Sequence, residues 1–85
     1  MTGFSTMPRY HFDICDNIET PDEEGREMAD DQFARRYAIE VARELVCSDV
    51  HEGHLNLDHY IAVRRGDGAA GFRVAFRDAF IITGD

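Results

Sequence analysis

Four side chains that favour soft metals, Cys47, His51, His54 and His59, fall close together in the chain. A thiolate and three imidazoles at such short range can close a tetrahedral zinc site. The spacing is not that of a zinc finger, whose ligands come in pairs from two separate turns. Histidines beside a helix C-terminus are also favoured by the helix dipole alone. Solvated or locally hydrogen-bonded histidines are therefore expected, with a metal site at Cys47, His51, His54 and His59 as the alternative, and no cofactor is expected.

Gly66-Asp67-Gly68-Ala69-Ala70-Gly71 spells the Gly-x-Gly-x-x-Gly of dinucleotide binders. That chemistry needs a helix to begin at the glycines, so that its free N–H groups meet the pyrophosphate. Phe72-Arg73-Val74-Ala75-Phe76 follows instead, with the period of two that marks a strand. The glycines are read as a hairpin. Asp16, Glu19, Asp22, Glu23, Glu24, Glu27, Asp30 and Asp31 crowd one segment, but a calcium loop sets its alternate acids, glycine and closing glutamate between two helices, and this segment follows a strand. A solvated acidic loop that caps the next helix is expected, and as a functional surface it suits a basic partner better than calcium.

Catalysis finds little support in the residue types. Cys15 and His11 share a strand face but lie about 13 Å apart at that spacing. Ser48, Asp49 and His51 are neighbours in sequence, which does not make a triad, because the fold brings triad members together. A further constellation needs a sheet to assemble it. If Phe12, Val74 and Phe76 face a helix, His11, Asp13, Arg73 and Arg77 point the other way with Arg64 nearby. Opposed charges there stabilise neighbouring strands. The functional alternative is a shallow anion or peptide site at His11, Asp13, Arg64, Arg73 and Arg77, since arginine forks match carboxylates.

The elements that must position these groups follow from periodicity. Arg9 to Cys15 alternates Tyr10, Phe12 and Ile14 with polar residues, a strand with one buried face. Ile18 to Met28 holds Pro21 and Gly25 among acids and suits a loop, with at most a short edge strand near Gly25 to Met28. From Asp31 onward Phe33, Tyr37, Val41 and Leu45 recur every four residues beside Ala34, Ala38 and Ala42. That spacing predicts an amphipathic helix capped by Asp30 or Asp31 and ending near Cys47-Ser48-Asp49. Leu57 to Arg65 and Phe72 to Arg77 are the last two strands, and Ala79 to Ile82 is too apolar for a solvated tail.

The chain has 85 residues, enough for one domain. Seventeen acids against nine basic residues, all of them arginine, leave a net charge of -8. Such a field repels phosphate backbones, so no nucleic acid is expected as a partner. No run approaches a membrane span, and from the lack of a positive cluster and an apolar stretch in Met1 to Met7 no secretory leader is expected. A cytoplasmic setting with free Cys15 and Cys47 follows as the expectation.

Met7-Pro8-Arg9-Tyr10-His11-Phe12-Asp13, Asp22-Glu23-Glu24-Gly25-Arg26-Glu27, the alanine-spaced helix, Ile61-Ala62-Val63-Arg64 and Val74-Ala75-Phe76-Arg77-Asp78-Ala79 together resemble a family of small bacterial proteins known only as a domain of unknown function. The resemblance runs from Met7 to about Ile82 and implies that residues 1–6 are an extension before a domain at residues 7–85. It brings no activity with it.

The expected fold is α+β in the order β-β-α-β-β, an antiparallel sheet of three or four strands with one amphipathic helix on one face. Its core is expected to hold Tyr10, Phe12, Ile14, Phe33, Tyr37, Val41, Leu45, Ile61, Val63, Phe72, Val74 and Phe76. The expected function is a non-enzymatic binding or regulatory module that self-associates or docks a protein partner. One helix cannot cover a whole sheet, so a homodimer with Phe80, Ile81 and Ile82 in its interface is expected. The alternative is a small metal or ligand binder built on the histidines.

Overall fold

Alternation of Tyr10, Phe12 and Ile14 with His11, Asp13 and Cys15 produces a strand over Arg9–Cys15 (β1) in the computed structural model, which describes residues 7–81. The chain then turns back along one edge of β1 in two short pieces, Glu19–Thr20 (β2) and Arg26–Glu27 (β3), both antiparallel to it. Pro21 lacks an N–H to donate, and residues 21–25 swing away from the ladder between these pieces. The left-handed conformation of Gly25, φ +72°, closes that excursion, and a Cβ there would lie 2.8 Å from the Tyr10 carbonyl oxygen.

The helix spans Asp31–His51 (α1). The Asp30 carboxylate accepts the Phe33 N–H at 3.0 Å, a cap of the kind that stabilises a helix by about 1 kcal/mol. The helix runs past the expected end at Cys47-Ser48-Asp49, since Ser48 and Asp49 still accept bonds from the Glu52 N–H at its C-terminus. Ala34, Ala38, Ala42 and Val46 form its buried stripe. Their small side chains let the helix backbone approach the sheet closely, as ridges of bulky residues would not.

Two further strands, Tyr60–Arg65 (β4) and Phe72–Ala75 (β5), complete a five-stranded antiparallel sheet in which β1 pairs β2, β3 and β4, and β4 pairs β5. The α+β class is as expected. The order gains one short strand before the helix, because the acidic segment pairs with β1 twice and not once. Cross-strand partners share a face, so Phe12 with Val63, Ile14 with Ile61, and Ile61 with Val74 set their side chains towards α1. The core is Tyr10, Phe12, Ile61, Val63, Val74, Phe76 and Ala79 with the α1 stripe.

Two expectations about this core are corrected. Phe33 is 53% exposed, and Tyr37, Val41 and Leu45 are only partly buried, because the alanine row and not the bulky row faces the sheet. The last strand stops at Ala75, and Phe76–Ala79 form a 3-10 turn that carries Phe76 and Ala79 into the core. Residues 1–6, read as an extension, and Ile82, read as part of an interface, lie outside the described residues.

Candidate functional site

The sheet face away from α1 gathers His11, Asp13 and Arg64, since His11 pairs with Arg64 and Asp13 with Ala62 in the β1–β4 register. Ala62 leaves room for the Arg64 fork to reach Asp13. Its Nε and Nη2 donate to the two carboxylate oxygens at 2.5 and 3.0 Å, a bidentate pair. Asp13 is the one buried charged residue among the described residues, 8% exposed. The bond from Arg64, joined by the Asp22 N–H at 2.8 Å and opposed by burial, holds the Asp13 carboxyl below the usual carboxylate range.

Asp22 is the member of this network that the sequence hides. Its carbonyl oxygen accepts from Arg64 Nη2 at 3.2 Å and from the His11 ring at 2.8 Å. A carbonyl only accepts, so His11 Nδ1 carries a proton. Burial acts to raise the Asp22 pKa, but bonds from the Phe12, Gly25 and Glu24 N–H groups outweigh it and the carboxyl titrates below its ordinary value. In a run of eight acids, type and spacing gave Asp22 no mark of its own; its position after Pro21, at the break in the ladder, is the one local signal.

The remaining arginines of this constellation go elsewhere. Arg73 lies on the same face as Arg64, with its guanidinium over the Tyr60 ring, 4.5 Å from the centroid. Arg77 is corrected: it sits in the 3-10 turn, off the sheet, and binds Asp58. The sheet face thus brings His11, Asp13, Arg64 and Arg73 to one side, with Arg64 paired to Asp13, and Arg77 leaves with the turn.

The soft-metal set also separates. Cys47 and His51 lie on α1 and His54 beyond its end, and the His59 ring meets Phe76 nearly perpendicular with centroids 5.9 Å apart. The His59 Nδ1 is buried without a hydrogen-bond partner among the described residues. Among the described residues, the groups that converge to within 4.8 Å are Asp49, Glu52 and His54. Cys15 and Cys47 are free thiols. The Gly-x-Gly-x-x-Gly run is a hairpin leading into β5, and Gly71 is required by close approach, since a Cβ there would stand 2.0 Å from the Val63 carbonyl oxygen.

A second cluster lies on the helix side of the β1 edge. Tyr10 is fully buried and its hydroxyl donates to Asp31 Oδ1 at 2.7 Å, which also accepts from Arg65 at 3.1 Å. Burial and that acceptor push the Tyr10 pKa up to about 12. Beyond it a groove of about 580 Å³ runs between α1 and residues 20–26, floored by Phe12, Ile14, Tyr37 and Val41. Arg26 closes one end, its guanidinium over the Tyr37 ring at 4.7 Å and bonded to the Tyr37 hydroxyl at 2.7 Å. The sequence spacing had placed Tyr37 and Val41 in the core, and their partial exposure is what forms this groove.

Among the described residues no helix is long and apolar enough to cross a membrane. No curated protein and no solved structure matches the chain. A family profile described as Domain of unknown function (DUF6894) matches residues 9–77, which take in β1, the Asp22 network, the helix and the last hairpin, and the chain belongs to that family.

Proposed function

We propose that this protein is a non-enzymatic binding module that pairs with a second copy of itself through the free edge of β5. The observation that carries the reading is that, among the described residues, β5 bonds to β4 alone. The Phe76 N–H reaches the His59 carbonyl at 2.8 Å, continuing the β4–β5 register by one step. Hydrogen-bonded pairs alternate in an antiparallel ladder, so Phe72 and Val74 turn their backbone groups to β4 while Arg73 and Ala75 turn theirs outward. Such an edge is a template for another strand. A two-fold axis beside Val74 sets Arg73 of one copy against Ala75 of the other and keeps the arginines apart. Phe80, 37% exposed, and Ile81, 94% exposed, follow on the same chain segment and supply apolar surface to such a contact.

Sedimentation of the full chain at micromolar concentration tests the pairing. A dimer is expected for the wild type. Arg73→Pro with Ala75→Pro removes the two outward N–H groups without touching the bonds to β4, and should give a monomer. A wild type that sediments at its 9.7 kDa monomer mass, or a double variant that remains dimeric, overturns the reading. Ile81→Asp should weaken the dimer, and circular dichroism verifies that each variant keeps its fold.

A further inference from the structure

We propose that the groove between α1 and residues 20–26 is a docking site for an extended, basic segment of another protein, whose apolar side chains enter the groove while its lysines or arginines meet the acids around it. This surface lies at the β1 edge, at the other side of the sheet from β5, and stands independently of self-pairing.

The first support is an apolar stripe that the chain writes and then does not cover. Phe33, Tyr37 and Val41 recur every four residues on one face of α1, yet the sheet packs against the adjacent row of alanines. Tyr37 and Val41 line the groove with Phe12 and Ile14. Phe33 lines a second hollow of about 460 Å³ with Met28 and Ala29, which meets the first at Tyr37. Together they follow the helix face for two turns.

Charge decides the kind of occupant. Each of the nine arginines is already engaged: Arg9 with Glu27, Arg64 with Asp13, Arg65 with Asp31 and Asp67, Arg77 with Asp58, Arg43 with the Ala79 carbonyl, and Arg26, Arg35, Arg36 and Arg73 on aromatic rings. Several acids have no ion pair among the described residues, and five of them flank this groove. Glu19, Glu23 and Glu24 lie on the arm of residues 19–27, and Glu40 and Glu44 lie three residues beyond Tyr37 and Val41 on the helix, where side chains are neighbours. None of these five is ion-paired among the described residues. An acidic partner would meet them as like charges, and a neutral one would leave them unused.

An extended segment fits because its side chains alternate, so that one set is buried while the other reaches the carboxylates. The probe is a fluorescein-labelled peptide of about ten residues alternating lysine and valine, a length that spans a typical strand and its ends. Its counterparts alternate glutamate with valine and lysine with serine. Fluorescence anisotropy with the full-length chain should give saturable binding of the lysine–valine peptide in the micromolar range, weakening as salt is raised. The lysine–serine peptide should bind at least about tenfold more weakly, the equivalent of losing a few buried methylenes.

Val41→Asp should weaken binding of the lysine–valine peptide at least about tenfold. Glu23→Lys with Glu24→Lys changes only exposed side chains, keeps the circular dichroism spectrum, and should do the same through charge. Equal binding of the lysine–valine and glutamate–valine peptides overturns the proposal, as does the absence of saturable binding, or undiminished binding by the folded Glu23→Lys, Glu24→Lys variant. A chain starting at Met7 that binds the peptide when the full-length chain does not would make residues 1–6 the occupant and also overturn it.

Discussion

The Asp22 carboxylate stands where a strand residue would stand opposite Phe12. Ile14 is paired with Thr20 and Tyr10 with Arg26, but between them residues 21–25 leave the edge of β1. Oδ2 of Asp22 accepts the Phe12 N–H at 3.1 Å, Oδ1 accepts the Gly25 N–H at 3.1 Å, and the Asp22 N–H is spent on Asp13. A side chain thus bridges the gap between two short strands, and two backbone donors that would otherwise lose their partners are satisfied.

Removing that carboxylate should be costly for an exposed loop. Asp22→Ala leaves the Phe12 and Gly25 N–H groups unpaired and should destabilise by about 1–3 kcal/mol, whereas Asp22→Asn keeps an acceptor and should cost less. Urea unfolding ranks the two, and amide exchange at Phe12 should quicken in the alanine variant. Equal stabilities for wild type and Asp22→Ala would mean that water serves Phe12 as well as Asp22 does.

Asp13 and Asp22 make the stability of the protein sensitive to acid. Both carboxyls titrate below their ordinary value of 3.8 in the folded state, so as pH falls the unfolded chain takes up protons first. Their stabilisation is fully present above that ordinary value and is lost as pH drops through the depressed values. Urea midpoints should therefore hold level from about pH 7 to 5 as far as these groups are concerned, and fall below about pH 4. Asp13→Asn should be less stable at neutral pH and show a shallower acid slope. An unchanged slope would show that Asp13 is not held below its ordinary pKa.

Tyr10 supplies the opposite limb. Its folded pKa is raised to about 12 from 10.0, so its contribution is complete below the lower value and disappears as pH rises through the higher. Ultraviolet titration of the phenolates should show an ionisation near pH 12, and Tyr10→Phe should abolish that step. The same variant loses its bond to Asp31 and should be less stable by about 1 kcal/mol at neutral pH. A Tyr10→Phe variant whose titration curve matches the wild type near pH 12 would contradict the buried hydroxyl.

The three longer strands and the helix were legible because each repeats a simple period, and a period of two also fixes which side chains share a face. His11, Asp13 and Arg64 could be grouped on that ground alone. Arg77 could not. The alternation continues through Phe76, but the Arg77 N–H bonds to Leu57 in place of the next residue in register, and the chain turns into a 3-10 coil. Asp22 was illegible for another reason: its role comes from where the ladder breaks, and nothing distinguishes its type from the acids beside it. The groove was hidden by the helix, whose sequence offers two adjacent rows with the same spacing.

Those two rows make the last prediction. Both the alanine row and the bulky row repeat every four residues, and a hydrophobicity argument alone favours the bulky one. The sheet takes the alanines because Tyr10, Phe12 and Phe76 already fill the space between the layers, and close backbone approach lets their rings pack. Ala38 is fully buried there, so Ala38→Leu should force the layers apart and cost about 1–3 kcal/mol, although it adds apolar surface and keeps helix propensity. Phe33→Ala, at a position 53% exposed, should cost well under the roughly 3–5 kcal/mol of a core phenylalanine. Thermal unfolding of the two variants gives the answer in one comparison. If Phe33→Ala proves the more damaging, the bulky row faces the sheet after all, the groove along Tyr37 and Val41 does not exist, and the helix is rotated from the position described.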